Sequence, residues 1–133
     1  MTTPPTLRKK LLFTGILFLL SVVGLMMQLP APFRQIDREM HFAFYFVAAG
    51  YMNIVFAQGR WTLHVFIFAV LYAFGVAIEY AQAYSNRFFS SRIHGNYDPV
   101  DIAYNLQGLF AFSAVWVVGR IFYALYKQQS DTR

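Results

Sequence analysis

Four stretches of this chain are apolar for long enough to cross a hydrocarbon layer, and polar residues fence each of them. The first runs without a charge from Leu11 to Leu29. As a helix rising 1.5 Å per residue it covers about 28 Å, close to the thickness of a bilayer core. Pro30 and Pro32 end it, and a short polar link follows with Arg34, Asp37, Arg38 and Glu39. The second apolar stretch starts near Met40 and reaches about Ala57, where Gln58-Gly59-Arg60 predicts a tight turn. The third begins at Trp61, an interfacial anchor type, and extends to about Tyr84. A polar loop over 85–97 carries Arg87, Arg92 and His94, with Phe88 and Phe89 expected at the interface. The fourth starts near Pro99, which suits a first helical turn, and continues to about Tyr126. The pattern predicts an all-α fold, a four-helix transmembrane bundle with spans 11–29, 40–57, 61–84 and 99–126. Residues 1–10 form a polar N-terminal segment, 11–126 the membrane domain and 127–133 a polar tail.

Composition supports lipid as the solvent. Of 133 residues 58% are hydrophobic and only 13% charged, about half the charged share of an average soluble domain. Arg8, Lys9 and Lys10 before the first stretch also open a signal-peptide pattern. The run is long for a signal core, however, and Gln28-Leu29-Pro30-Ala31-Pro32 makes a poor cleavage site, so an uncleaved first span is expected. There are no cysteines, which excludes disulfides, zinc-thiolate sites, iron–sulfur clusters and thiol nucleophiles.

The net charge of +5 sits at the ends of the apolar runs, so it reads as membrane orientation and no nucleic-acid partner is expected. One side of the topology holds Arg8, Lys9, Lys10, Arg60, Arg120, Lys127 and Arg133; the other holds Arg34, Arg38, Arg87 and Arg92. Seven against four predicts that both termini are cytoplasmic, and the dense cluster before the first span points the same way. The acids lean outward, with Asp37, Glu39, Asp98 and Asp101 all on the opposite face.

Candidate chemistry collects on that outer face. Glu79 lies inside the third span, where an ionisable group costs a few kcal/mol and marks a functional hypothesis. On its helix, Tyr72, Gly75, Glu79, Gln82 and Asn86 recur at spacings of three or four and predict a polar face. Ala69, Ala73, Ala77 and Ala81 recur on the opposite side as a small-residue ladder that admits a close neighbour. A helix packed on both sides is expected at the centre of the bundle. The second span enters with Asp37 and His41 at i, i+4, which is expected to fix the imidazole tautomer. The fourth enters with Asp98, Asp101 and Asn105, followed by Gly108. The topology brings all three helix ends to one layer.

Plainer readings stand beside these. Glu79 and Gln82 can serve as interhelical hydrogen-bond glue. Asp98, just before Pro99, reads best as a helix cap. His64, near the inner interface, reads as structural, and His94 as a solvated loop residue.

The ordered motifs Asp37-x-x-x-His41, Glu79-x-x-Gln82 and Asp98-x-x-Asp101-x-x-x-Asn105-x-x-Gly108 resemble the VanZ-like family of small bacterial membrane proteins, over residues 8 to 126. Arg38 stands where that family usually has Lys. Arg87 and Arg92 both fall where it carries one arginine. The resemblance implies a multi-pass protein of the bacterial cytoplasmic membrane and supplies no defined reaction. The first-ranked reading is binding or modulation of an extracytoplasmic lipid, a lipid-linked cell-wall precursor or a glycopeptide antibiotic through the polar layer. A structural helix-packing or homo-oligomer network ranks second. An intramembrane enzyme ranks third, with His41 as general base and Glu79 as acid. Asp37, His41, Glu79 and Asp101 are acceptable metal ligands by type, but no strong spacing such as His-Glu-x-x-His is present. No metal or cofactor is therefore expected.

Overall fold

The protein is described here from a computed structural model, covering residues 6–27, 29–88 and 96–131. Four helices carry the fold: α1 (Leu7–Met26), α2 (Asp37–Met52), α3 (Trp61–Ser85) and α4 (Pro99–Asp131). Each is long and apolar enough, with its flanking helical turns, to cross a membrane. The helices run up and down: Lys10 near the start of α1 reaches Val55 just past the end of α2, and Glu79 near the end of α3 reaches Asp98 at the start of α4. The ends of α1 and α3 therefore share one end of the bundle with the starts of α2 and α4, here the pocket end. The opposite end, holding the link from α2 to α3, is here the turn end.

The helices extend further than the apolar runs. α1 starts at Leu7 and takes in the basic cluster that was expected to precede it. The polar link after Pro30 is not irregular: Ala31–Ile36 forms a 3-10 helix leading straight into α2. Asp37 and Glu39 occupy the first turn of α2, where carboxylates complement the helix dipole. α4 continues to Asp131, so the polar tail from Lys127 is helical.

At the turn end α2 passes into a π-helical segment, Asn53–Ala57, and stops where Gln58 and Gly59 take positive φ of 47° and 82°. Glycine holds such a conformation without strain, as the expected tight turn requires. Space matters at Gly59 too, because a Cβ there would meet the Arg120 guanidinium at 2.6 Å.

Packing is uneven: α3 touches α1, α2 and α4, in keeping with the expected central place, but not through its small-residue ladder. Ala69, Ala73, Ala77 and Ala81 are all exposed, so none of the described helices covers the ladder. The tightest pair is α2 with α4. Gly108 makes it possible: a Cβ there would lie 2.3 Å from the Phe42 carbonyl oxygen, so the two backbones nearly touch. Tyr45, Ala49, Ala57, Ile67, Leu71 and Leu109 form the buried core between α2, α3 and α4.

α1 is the outlier, with no buried residue. It is tied to the rest by polar contacts: Lys10 Nζ donates to the Val55 carbonyl at 3.3 Å, and Thr14 Oγ1 and Tyr51 Oη share a hydrogen bond of 2.9 Å. Gln82 Nε2 donates to the Leu25 carbonyl near its end. Leu11, Leu12, Phe13, Ile16, Leu19 and Leu20 are all more than half exposed. Such a surface is stable in lipid and adhesive in water.

Candidate functional site

The pocket end gathers polar side chains from three helices. His41, one turn into α2, is buried, and its ring is held from α4. Nδ1 donates to Asn105 Oδ1 at 2.8 Å. The Asn105 amide oxygen, not the Asp37 carboxylate, therefore sets the tautomer, because an amide oxygen can only accept. This replaces the expectation drawn from the i, i+4 spacing. The other ring nitrogen, Nε2, faces two carboxylates, Asp37 Oδ1 at 3.8 Å and Asp101 Oδ2 at 4.0 Å. Both distances exceed a hydrogen bond. One ligand atom from each of Asp37, His41 and Asp101 lies within 4.8 Å of the others.

Asn105 sits this deep because α3 gives it room. A Cβ on Gly75 would meet Asn105 Nδ2 and Tyr45 Oη at 2.9 Å each. Glycine at position 75 thus admits two polar groups to the backbone of α3. Tyr72, placed on the same face by spacing alone, is exposed, while Gly75, Glu79 and Gln82 are buried.

Glu79 has no exposed surface. Its Oε2 accepts the Asp98 backbone N–H at 3.0 Å, tying α3 to the start of α4. Its Oε1 has no hydrogen-bond partner among the described residues, and neither does the buried Tyr45 hydroxyl. Buried polar atoms in that state are uncommon and call for a cause. Asp98 also caps α4, accepting the Val100 N–H on Oδ1 at 2.8 Å, as the plainer reading held.

These groups border a cavity of about 580 Å³ between α1 and the pocket-end starts of α2 and α4. Asp37, His41, Gln82, Asp98 and Asp101 line one wall, and Leu17, Leu20 and Leu25 of α1 line the other. A second cavity of about 290 Å³ lies deeper, bounded by apolar groups including Val47, Met52, Leu71 and Phe74. Leu17, Ser21 and Phe44 line both, so the two spaces adjoin. The arrangement can hydrogen-bond a polar group, accept a proton at His41 Nε2, or hold a cation between the two aspartates.

Of the residues expected from the sequence, Asp37, His41, Gln82, Asp98 and Asp101 border the larger cavity. Asn105 and Glu79 act from behind it, and Gly108 sets the helix spacing. Arg87 does not join them: it is exposed, with its guanidinium 5.7 Å from the Tyr84 ring centre. Arg92 lies outside the described residues, as do Phe89 and His94.

Spacing missed Arg34, which lines the cavity while its Nε donates to the Leu29 carbonyl at 3.2 Å. It also missed the apolar wall from α1, since a uniformly apolar run marks no face. Tyr45 gives no signal in sequence beyond aromatic richness.

A second histidine couple lies at the turn end. His64 Nδ1 donates to Asn53 Oδ1 at 2.8 Å, and Asn53 Nδ2 donates to the Ala49 carbonyl. The His64 ring stacks flat on Trp116, 4.1 Å between centres and 2° between planes.

No protein family matches the chain, no curated protein is significantly similar to it, and no solved structure is significantly similar to its fold.

Proposed function

We propose that this protein is a VanZ-like membrane protein that binds an amphiphile, its headgroup in the polar cavity and its tail in the apolar one. The adjoining cavities carry this reading: one has an acid, imidazole and amide wall, the other an almost wholly apolar lining, and they share Leu17, Ser21 and Phe44. That division of polarity matches a lipid or lipid-linked precursor better than a wholly polar or wholly apolar ligand. Both termini face the cytoplasm in this reading, which puts the pocket end in the extracytoplasmic leaflet of a bacterial cytoplasmic membrane. Support comes from the seven-to-four division of basic residues and from the resemblance of the three ordered motifs to the VanZ-like family.

A purely structural network is favoured by the His41–Asn105 and Gln82–Leu25 bonds, which tie helices together. It does not account for Asp37 and Asp101 lining a cavity without a hydrogen bond to His41.

The ligand reading is tested by a photo-reactive residue at Leu17, common to both cavities, compared with one at Val115, exposed on α4. A photolabel at Leu17 is expected to capture phospholipid in a saturable manner that added lipid displaces; at Val115 capture is expected to be unsaturable. Equal, non-competable capture at both positions contradicts the reading. Orientation is tested separately, because the chain has no cysteine. Tyr97→Cys should react with an impermeant maleimide added outside cells, and Lys127→Cys should not.

A further inference from the structure

We propose that Asp37, His41 and Asp101 form a binding site for one divalent cation that accepts both carboxylate and imidazole ligands, Mn²⁺ or Zn²⁺ in class. Three observations converge. The first is geometric: Asp37 Oδ1 and Asp101 Oδ2 stand 3.8 and 4.0 Å from His41 Nε2, and the three-residue set closes within 4.8 Å. An ion equidistant from three such atoms stands about 2.5 Å or less from each, so small side-chain rotations bring it to ordinary metal–ligand lengths.

The second observation is the state of the histidine. Its Nδ1–H is committed to Asn105 Oδ1, which in the neutral ring leaves the Nε2 lone pair pointing toward two carboxylates. Three electron-pair donors then face one another at distances too long for hydrogen bonds. A proton on Nε2 or a metal cation between them relieves the repulsion, and the metal titration below tells the two apart. An outer hydrogen bond from the far ring nitrogen to a carbonyl oxygen is the usual support of a metal-bound histidine.

The third observation is the surroundings. The set opens on the 580 Å³ cavity, which leaves coordination positions for an outside ligand. Glu79 is not part of the set: it lies outside the 4.8 Å group, and its Oε2 accepts the Asp98 amide. The ligands come from two helices, Asp37 and His41 on α2 and Asp101 on α4, so no contiguous motif announces them.

The ion also changes what headgroup the cavity accepts, a consequence that rests on the amphiphile reading above. Asp37, Asp98 and Asp101 outnumber Arg34 around the mouth and repel a phosphate. A divalent cation at the set reverses the local sign and gives a phosphate oxygen a place to bind. The chemical class implied is a phosphate-bearing amphiphile.

The test uses full-length protein purified in detergent and stripped of metal. Titration with MnCl₂, followed by the electron paramagnetic resonance of free Mn²⁺, should show one saturable ion per chain. Asp37→Asn, half-exposed and tolerable for folding, should weaken it by about tenfold or more, and His41→Gln likewise. Glu39→Gln, in the same helical turn but outside the set, should bind as the wild type does. Absence of a saturable site, or equal binding by Asp37→Asn and wild type, overturns the proposal.

Native mass spectrometry with phosphatidic acid or diacylglycerol then separates the two claims. Mn²⁺ should raise retention of phosphatidic acid about tenfold and leave diacylglycerol unchanged. Saturable Mn²⁺ binding with no effect on phosphatidic acid overturns the phosphate link alone. Saturable Mn²⁺ binding with no retention of either lipid overturns the amphiphile reading and leaves the cation site standing.

Discussion

The two ends of the bundle contain the same chemical couple put to different uses. At each, a buried histidine donates Nδ1–H to an asparagine Oδ1 over 2.8 Å, bridging two helical segments. At the turn end the couple is closed. His64 lies flat on Trp116, Asn53 turns its amide back to the Ala49 carbonyl, and no carboxylate pairs with either among the described residues. At the pocket end the couple is open. The free edge of His41 meets two aspartates and a cavity, and the glutamate behind it has an unpartnered oxygen. A histidine–asparagine bond between helices is thus a packing device in itself. What makes one copy a candidate site is what surrounds its second nitrogen.

Substitutions at the two ends probe this contrast, and the largest effect is expected at Gly108. Its missing Cβ is what lets α4 touch the backbone of α2 at Phe42. Gly108→Ala should cost about 3 kcal/mol, the upper range for overpacking, since backbone cannot step aside as a flexible side chain can. Thermal unfolding in detergent reads this directly.

Next come the two asparagines. Asn53→Ala and Asn105→Ala each strand a buried imidazole, at a cost of about 1–3 kcal/mol. Similar losses of stability are expected, with ligand capture at Leu17 affected by Asn105→Ala alone. Matching loss of capture in both variants would mean that the pocket responds only to general destabilisation.

A smaller effect is expected at Asp98. Removing the cap with Asp98→Ala should cost about 1 kcal/mol and fray the first turn of α4, visible as faster amide exchange at Val100. Smallest of all is Arg87→Ala. The side chain is exposed and rests on Tyr84 away from the cavity, so neither unfolding nor capture should change measurably.

Much of this was legible in the sequence, and the misses have physical reasons. Uninterrupted apolar runs and basic flanks are additive properties of a segment, so the four long helices follow from counting. The i, i+3 and i+4 spacings correctly put Gly75, Glu79 and Gln82 on one face, because helix geometry is local. Whether a face is covered depends on the other helices. The ladder Ala69, Ala73, Ala77 and Ala81 is real as a stripe, yet it is exposed, because α3 meets its neighbours through the face that carries Leu71, Gly75, Ile78 and Gln82. The i, i+4 spacing points to Asp37 as the group that sets the His41 tautomer, but the bond goes to Asn105, 64 residues away. Helix ends extended through Lys9, Lys10 and Lys127 because a long basic side chain can leave its helix for the interface while its backbone stays helical.

The most direct test of the contrast between the two ends is lipid retention by native mass spectrometry on wild type, Asn53→Ala and Asn105→Ala at matched folded fraction. The account predicts that Asn53→Ala keeps the lipid adducts of the wild type and that Asn105→Ala loses them. Equal retention by both variants, or equal loss, would contradict it.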